Sequence, residues 1–183
     1  ARPRLAQVLL EPREHEAKAA YLLAGFTHLA ELAYLRRARP APDAVGADPW
    51  PEGVTVANWR PGDDPALSAA LERSYEGTLD CPGLCGLREP ADVLASHRAI
   101  GRFDPKLWWL VRMGGAPEGA VLLNPCPDQG TVELVYMGLS PELRGRGLGR
   151  RLLALAFGEA AKRPEPTITC AVDMCNAPAM RLY

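Results

Sequence analysis

Leu139-Ser-Pro-Glu-Leu-Arg144-Gly-Arg-Gly-Leu-Gly-Arg150 is the stretch whose reading decides the fold. Ahead of it, Thr131 to Leu139 is an apolar run that ends at Ser140-Pro141; behind it, Leu148, Leu152, Leu155 and Ala156 recur at helical spacing. The segment therefore reads as a strand, a glycine loop, and a helix from about Gly147 to Lys162. Glycine lets the backbone take up φ > 0 and approach a ligand closely, so successive N–H groups can converge as an anion nest. The positive end of the helix points at the same place. The physical reading is a phosphate or pyrophosphate site. A Walker loop would need Lys-Ser/Thr after these glycines, and a dinucleotide fingerprint would need glycine where Arg150 stands; neither is present. The remaining alternative is a Gly/Arg turn with no ligand.

Outward from this loop, punctuation by 18 prolines and 17 glycines divides the chain. Leu107 to Met113 and Gly119 to Asn124 are apolar runs joined by Gly114-Gly115-Ala116-Pro117, which predicts a hairpin. Together with residues 131 to 139 they form an antiparallel meander. The helix after the loop is stopped by Pro164 and Pro166, and Thr167 to Val172 is a strand that can lie parallel to the third. Val54 to Ala57 is a further short strand. Asp63-Asp64-Pro65 opens a helix to about Glu76, Ala91 to Ile100 is a second helix, and a last one starts near Ala177. Residues 38 to 53 are a Pro/Ala/Gly/Asp linker without periodicity. Before it, Leu5 to Leu10 reads as a strand, the stretch from Glu11-Pro12 to Leu23 as a helix, and His28 to Leu35 as another strand. The class is mixed α/β (α+β), with a central, mostly antiparallel sheet flanked by helices.

Composition narrows the functions. The 183 residues carry 21 Lys+Arg against 22 Asp+Glu, so no basic stripe is available for nucleic acid. No apolar run approaches the ~20 residues of a membrane helix, and no export signal is visible. Five scattered cysteines suit free thiols in a reducing cytoplasm better than a disulfide framework. Cys81-Pro-Gly-Leu-Cys85 has no second pair at ligand spacing, and His97 is isolated, so no metal is expected. Nothing indicates an oligomeric state.

The R-x-x-G-x-G loop from Arg144 to Gly149, with Leu139-x-Pro141 before it, resembles the GCN5-related N-acetyltransferase (GNAT) superfamily. The resemblance covers residues 54 to 183 as topology and 131 to 183 as motif. It implies that Arg144, Gly145, Arg146, Gly147, Leu148 and Gly149 hold the pyrophosphate of acetyl-CoA, and that Met137, Gly138 and Leu139 face its pantetheine arm. Asn176-Ala-Pro-Ala179-Met-Arg-Leu182-Tyr183 is similar to the family's N-x-x-A-x-x-L-Y. That likeness implies Tyr183 as the general acid for the departing thiolate, with Asn176 near the pantetheine. A phenol of ordinary pKa ~10 is a protonated donor at neutral pH. The structural alternative is a tyrosine filling a groove.

An amine acceptor arrives as ammonium, so a base is also wanted. Glu133 stands 11 positions before Arg144, the offset at which histone-acetylating members of the superfamily place their glutamate. Alternation predicts Glu133, Val135, Met137 and Leu139 on one face, opposite Leu134, Tyr136 and Gly138. A carboxylate on a largely apolar face has a raised pKa. The alternative is a solvated or salt-bridged strand residue; Asp80, Glu76 and Asp173 are further candidates for base or ammonium binding. The reading is an acetyl-CoA-dependent N-acetyltransferase acting on a primary amine of a small molecule or peptide. Its rivals are a non-catalytic CoA-binding module and a non-transferase whose loop holds another phosphorylated ligand. Trp108 and Trp109 are expected to fill the core on opposite sheet faces, with Trp109 as a pocket wall the alternative.

Glu14-x-x-Ala17-x-x-Ala20-Tyr21, followed by Gly25-Phe26, aligns with Asn176-x-x-Ala179-x-x-Leu182-Tyr183. Residues 1 to 37 thus resemble the tail of a first, degenerate GNAT repeat, and 54 to 183 a second repeat lacking its C-terminal end. The chain as given is expected to be shorter than the natural one. Alternatively, residues 1 to 37 dock where the missing tail belongs, which strand pairing between 28–35 and 167–172 would support.

Overall fold

The computed structural model describes residues 5–41 and 49–183. Its strands are β1 (Leu32–Ala38), β2 (Val54–Asn58), β3 (Trp108–Met113), β4 (Ala116–Cys126), β5 (Thr131–Leu139) and β6 (Thr167–Asp173). The helices are α1 (His15–Leu23), α2 (Asp64–Tyr75), α3 (Pro90–Ala99), α4 (Leu148–Ala161) and α5 (Ala177–Leu182). One six-stranded sheet runs in the order β1-β6-β5-β4-β3-β2, antiparallel everywhere except between β5 and β6. The meander, the crossover helix and the parallel strand all stand as the sequence predicts.

The sheet is apolar on both faces, so it needs a helical layer on each. On one face Leu148, Leu152 and Ala156 of α4 recur every four residues and bury against Val121, Leu123 and Leu134. On the other, Leu67, Ala70 and Leu71 of α2 and Val93 and Leu94 of α3 cover Leu110, Ala120 and Leu122. Trp108 is fully buried in the α2–α3 layer and Trp109 is buried in the α4 layer. Trp109 is therefore a core residue and not a pocket wall.

Asn124, fully buried in β4, organises the α2–α3 face. Its Oδ1 accepts from the Trp108 indole N–H at 2.7 Å, and its Nδ2 donates to the carbonyls of His97 and Ile100, each at 2.7 Å. The end of α3 is thus tied to the middle of the sheet. Just beyond it, a Cβ on Gly101 would collide with the Pro125 carbonyl, and Arg102 N donates to that same oxygen at 2.8 Å.

Two expectations are corrected. Leu5 to Leu10 forms no strand: a strand exists only through a hydrogen-bonded neighbour, and this run has none, leaving Leu9 65% exposed. The alternation of β5 is also broken. Leu122 pairs with Tyr136 but Leu123 with Leu134, so Val135 is an extra, bulged residue. In consequence Leu134, Met137 and Leu139 pack toward α4, while Val135 and Tyr136 both pack toward α2 and α3. Glu133 precedes the bulge, between the α4-facing Val132 and Leu134, and lies on the α2–α3 face, opposite Met137 and Leu139.

The strand expected at residues 28–35 forms at 32–38 and pairs with β6 over its whole length, from Leu32 with Asp173 to Ala38 with Thr167. This pairing supports the docking alternative. Of the expected linker, residues 42–48 lie outside the described residues. Among the described residues no helix is long and apolar enough to cross a membrane.

Candidate active site

β5 and β6 pair only where Thr131–Glu133 lies beside Thr167–Thr169. Past that point β5 stays with β4 as far as Leu139, and β6 stays with β1 as far as Asp173. The two strands therefore part, and a cleft opens between them toward their C-terminal ends. The bulge at Val135, which bends and twists β5, lies where they part.

The glycine loop closes the open end of this cleft. Gly145 (φ +73°) and Gly147 (φ +74°) sit in the left-handed region that side-chain-bearing residues avoid. Gly147 is the N-cap of α4 and no side chain caps it, so the first-turn N–H groups have no side-chain acceptor. Gly149 is tight for another reason: a Cβ there would lie 3.1 Å from Leu182 of α5, whose side chain would have to shift. The structure brings Met137, Gly138, Leu139 and the 144–149 loop together along one rim.

Arg144 spends its guanidinium on carbonyls. Nε donates to Leu139 O at 2.9 Å, Nη1 to Glu76 O at 2.8 Å and Gly77 O at 3.2 Å, and Nη2 to Ser74 O at 2.8 Å. It therefore fastens the C-terminal end of α2, with its exposed negative dipole, to the loop and the end of β5. Gly138 makes room for Tyr136, whose hydroxyl would meet a Cβ there and hydrogen-bonds Ser74 Oγ at 2.5 Å.

Tyr183 follows α5 and packs against the α4-side core, beside a small cavity of about 60 Å³ lined by Leu134, Leu153, Phe157, Ile168 and Cys170. Burial pushes its phenol upward, with Cys170 and Asp80 adding to the effect. On the opposite face Glu133 borders a larger cavity of about 520 Å³, with Arg102, Cys126, Asp128 and Gln129 on its walls. Burial raises the Glu133 carboxyl above its ordinary range. Cys170 is near both: burial first, and Glu133 second, push its thiol up to about 11. Glu133 and Tyr183 thus flank the cleft from opposite faces of the sheet.

The remaining candidates have structural engagements. Asn176 caps α5, its Oδ1 accepting from Ala179 N at 3.2 Å. Asp173 is buried, and its two oxygens accept from Cys175 N at 2.8 Å and Cys81 N at 3.0 Å. Asp80 Oδ1 in turn accepts from Asp173 N at 3.0 Å, so the two carboxylates clasp the 77–90 loop to the end of β6. Glu76 is exposed after α2. His97 lies 5.5 Å from the Tyr136 ring, and burial with Arg88 nearby lowers its pKa to about 4. Among the described residues no group of three His, Cys, Asp or Glu could hold a metal ion. The carbonyl clasp of Arg144 and the hub at Asn124 escaped the sequence reading, because their partners are remote backbone atoms without a motif.

Residues 71–183 match the acetyltransferase (GNAT) family. A mycothiol acetyltransferase of Streptomyces bingchenggensis is 32% identical over 87% of this chain and 51% of its own length. The chain thus spans about half the length of curated relatives it matches. A GCN5-related N-acetyltransferase structure from Sphaerobacter thermophilus superposes with a TM-score of 0.64 at 23% identity, covering 88% of this chain and 48% of that one. A Salmonella typhimurium protein described as an acetyltransferase, solved with acetyl-CoA, gives 0.53 at 20% identity, covering 72% and 76%. At these identities the structures establish the shared fold.

Proposed function

The chain belongs to the acetyltransferase (GNAT) family, and on that premise we propose that it transfers acetyl from acetyl-CoA to a primary amine. The observation that carries the reading is the strand-lined cleft closed by an uncapped helix N-terminus with two left-handed glycines. The fit to acetyl-CoA is of the right kind. The N–H groups of residues 145–149 and the α4 dipole suit a diphosphate, and the unpaired edge of β5 at Met137–Leu139 offers N–H and C=O groups to an amide-bearing arm. Arg144 acts by holding that rim in place. Acetyl-CoA supplies the activated acyl group.

Glu133 accepts the ammonium proton, directly or through water, from the α2–α3 side of the cleft. Edge N–H groups of β5 polarise the acyl carbonyl. Tyr183, on the α4 side, keeps its proton at neutral pH and offers it to the departing sulfur. The arrangement of Glu133 and Tyr183 on opposite faces supports attack from one side and departure on the other. Asn176 orders the turn that delivers Tyr183. Residues 54–183 hold the glycine loop and the proposed acid and base. Residues 1–37, joined by the 38–53 linker, are the tail of an earlier repeat whose strand β1 completes the sheet; the greater length of the matched relatives leaves room for such a repeat. Their name supports a small-molecule acceptor, and the free thiols of all five cysteines support a cytoplasmic setting.

Thermal melting tests the reading. Acetyl-CoA and CoA at about 100-fold above their Kd are expected to raise Tm by roughly 5–10 °C, and ATP and NAD to leave it unchanged. Equal shifts with all four, or none, would sink the coenzyme assignment. Thiol release against a panel of amines then separates an enzyme from a silent CoA-binding module. Arg144→Met removes all four carbonyl contacts while keeping the aliphatic stem. It is expected to raise the KM for acetyl-CoA about tenfold and to cost about 1–2 kcal/mol, since the group is exposed and its bonds are weakened by solvent.

A further inference from the structure

β1 brings side chains onto the face of the sheet where Glu133 lies. Across the strands Glu133 is level with Thr169, and Thr169 with Arg36; one step along, Ala171 is level with Tyr34. Alternation turns the intervening residues the other way: Ile168 and Cys170 pack in the α4-side core, the Arg37 guanidinium sits 4.5 Å over the Phe157 ring, and Arg36 and Thr169 reach the small α4-side cavity only from the strand edge. Glu133, Thr169, Arg36, Ala171 and Tyr34 therefore form one continuous platform. Neither α2 nor α3 covers its outer part, and Tyr34 is 65% exposed. Burial, then the Glu133 charge and then that of Glu11, raise the phenol of Tyr34, which is consistent with both carboxylates lying near the ring. Arg36 is exposed and forms no ion pair among the described residues.

The platform has a carboxylate at one end and a free guanidinium at the other, with an aromatic ring alongside and small residues between. Two strand spacings of 4.7–4.9 Å separate the ends, roughly 10 Å. We propose that β1 forms the outer wall of the acceptor site, with Tyr34 as the surface on which the acceptor lies and Arg36 selecting an amine that carries an anionic group about 10 Å from its nitrogen. This rests on the reading of Glu133 as the group that takes the amine's proton. Of the other cations on this face, Arg102 lies at the opposite, β4 side of Glu133, and Arg88 lies near Tyr75, Cys81 and His97. The ring contributes dispersion and excludes water, and the guanidinium contributes a directed, charge-assisted contact.

The test uses 4-phenylbutylamine and its para-carboxylate, which differ only in the anionic group. Steady-state kinetics with acetyl-CoA are paired with calorimetric titration of each amine into the CoA-saturated protein, so one readout does not need turnover. The carboxylate is expected to show a KM and Kd about tenfold lower than the parent amine. Arg36→Gln should bring that ratio to unity. Tyr34→Ala should raise both values for both amines about tenfold, and Tyr34→Phe should recover them. Equal affinity of the two amines, no binding of either, or a ratio indifferent to Arg36→Gln overturns the proposal while CoA binding still stands. Failure of CoA itself to bind overturns the function on which it rests.

Discussion

Glu133→Gln is expected to lower acetyl transfer to any amine by about 10²- to 10⁴-fold while leaving the affinity for CoA unchanged. The amide has the shape of the carboxyl but cannot receive a proton. Glu133 lies on the α2–α3 face, away from the glycine loop, so binding of the diphosphate does not depend on it. The pH profile carries the same information. Burial raises the Glu133 carboxyl above the ordinary 4.5, so the acid limb of kcat/KM is expected at a higher pH than a free glutamate would give. Stability moves in the opposite sense. Between 4.5 and the raised value the folded protein holds a proton that the unfolded chain has released. The contribution of this group is therefore full below 4.5 and is lost as pH rises through the folded-state pKa. The glutamine variant escapes that loss and should melt no lower than the parent near neutrality. An inactive variant that also melts early would point to a structural role instead. Unchanged turnover would remove Glu133 from the chemistry altogether.

The second large effect concerns folding. Asn124→Leu leaves the buried Trp108 indole N–H and the half-buried carbonyls of His97 and Ile100 without their partner. A buried orphan costs about 1–3 kcal/mol and a half-buried one about 1 kcal/mol, so a total loss of roughly 3–5 kcal/mol is expected, a large share of an ordinary domain's stability. Tm should fall by about 10 °C or more, followed by tryptophan fluorescence. Asn124→Asp is a sharper probe. It keeps an acceptor for the indole but replaces the donor to two carbonyls by negative charge, and should be at least as damaging. Loss of the tie also releases Gly101 and Arg102, which wall the cavity beside Glu133. A melt unchanged by either substitution would mean that water replaces the amide without cost.

Much of this architecture is legible in the sequence where local chemistry decides the outcome. The four-residue spacing of Leu148, Leu152 and Ala156 has one solution, a helix with one buried face, and the preceding glycines can serve only a sharp turn. Paired apolar runs around Gly114-Gly115 likewise fold on themselves. The reading fails where the partner is distant. Nothing in Thr131–Leu139 announces that Val135 is supernumerary, since the bulge is set by how β4 and β5 meet, and this sent Glu133 to the wrong side relative to Met137. Leu5–Leu10 is as apolar as a strand yet has no neighbour to complete its ladder. Arg144 looks like a ligand-facing cation because it belongs to a glycine loop. Its carbonyl partners at Ser74, Glu76 and Gly77 are supplied by a helix far back in the chain.

The pairing of β1 with β6 has a consequence for the order of assembly. β6 meets β5 over three residues only, and its full-length partner lies about 130 positions earlier in the chain. The hairpins of the meander close short loops and can form early, whereas this seam closes the longest one and bears its entropy. Closure of this seam is therefore expected to be slower than formation of the meander, which stopped-flow refolding would resolve. The cleft between β5 and β6 gains its second bank only when that seam closes, so the shape of the groove depends on the most remote pairing in the sheet.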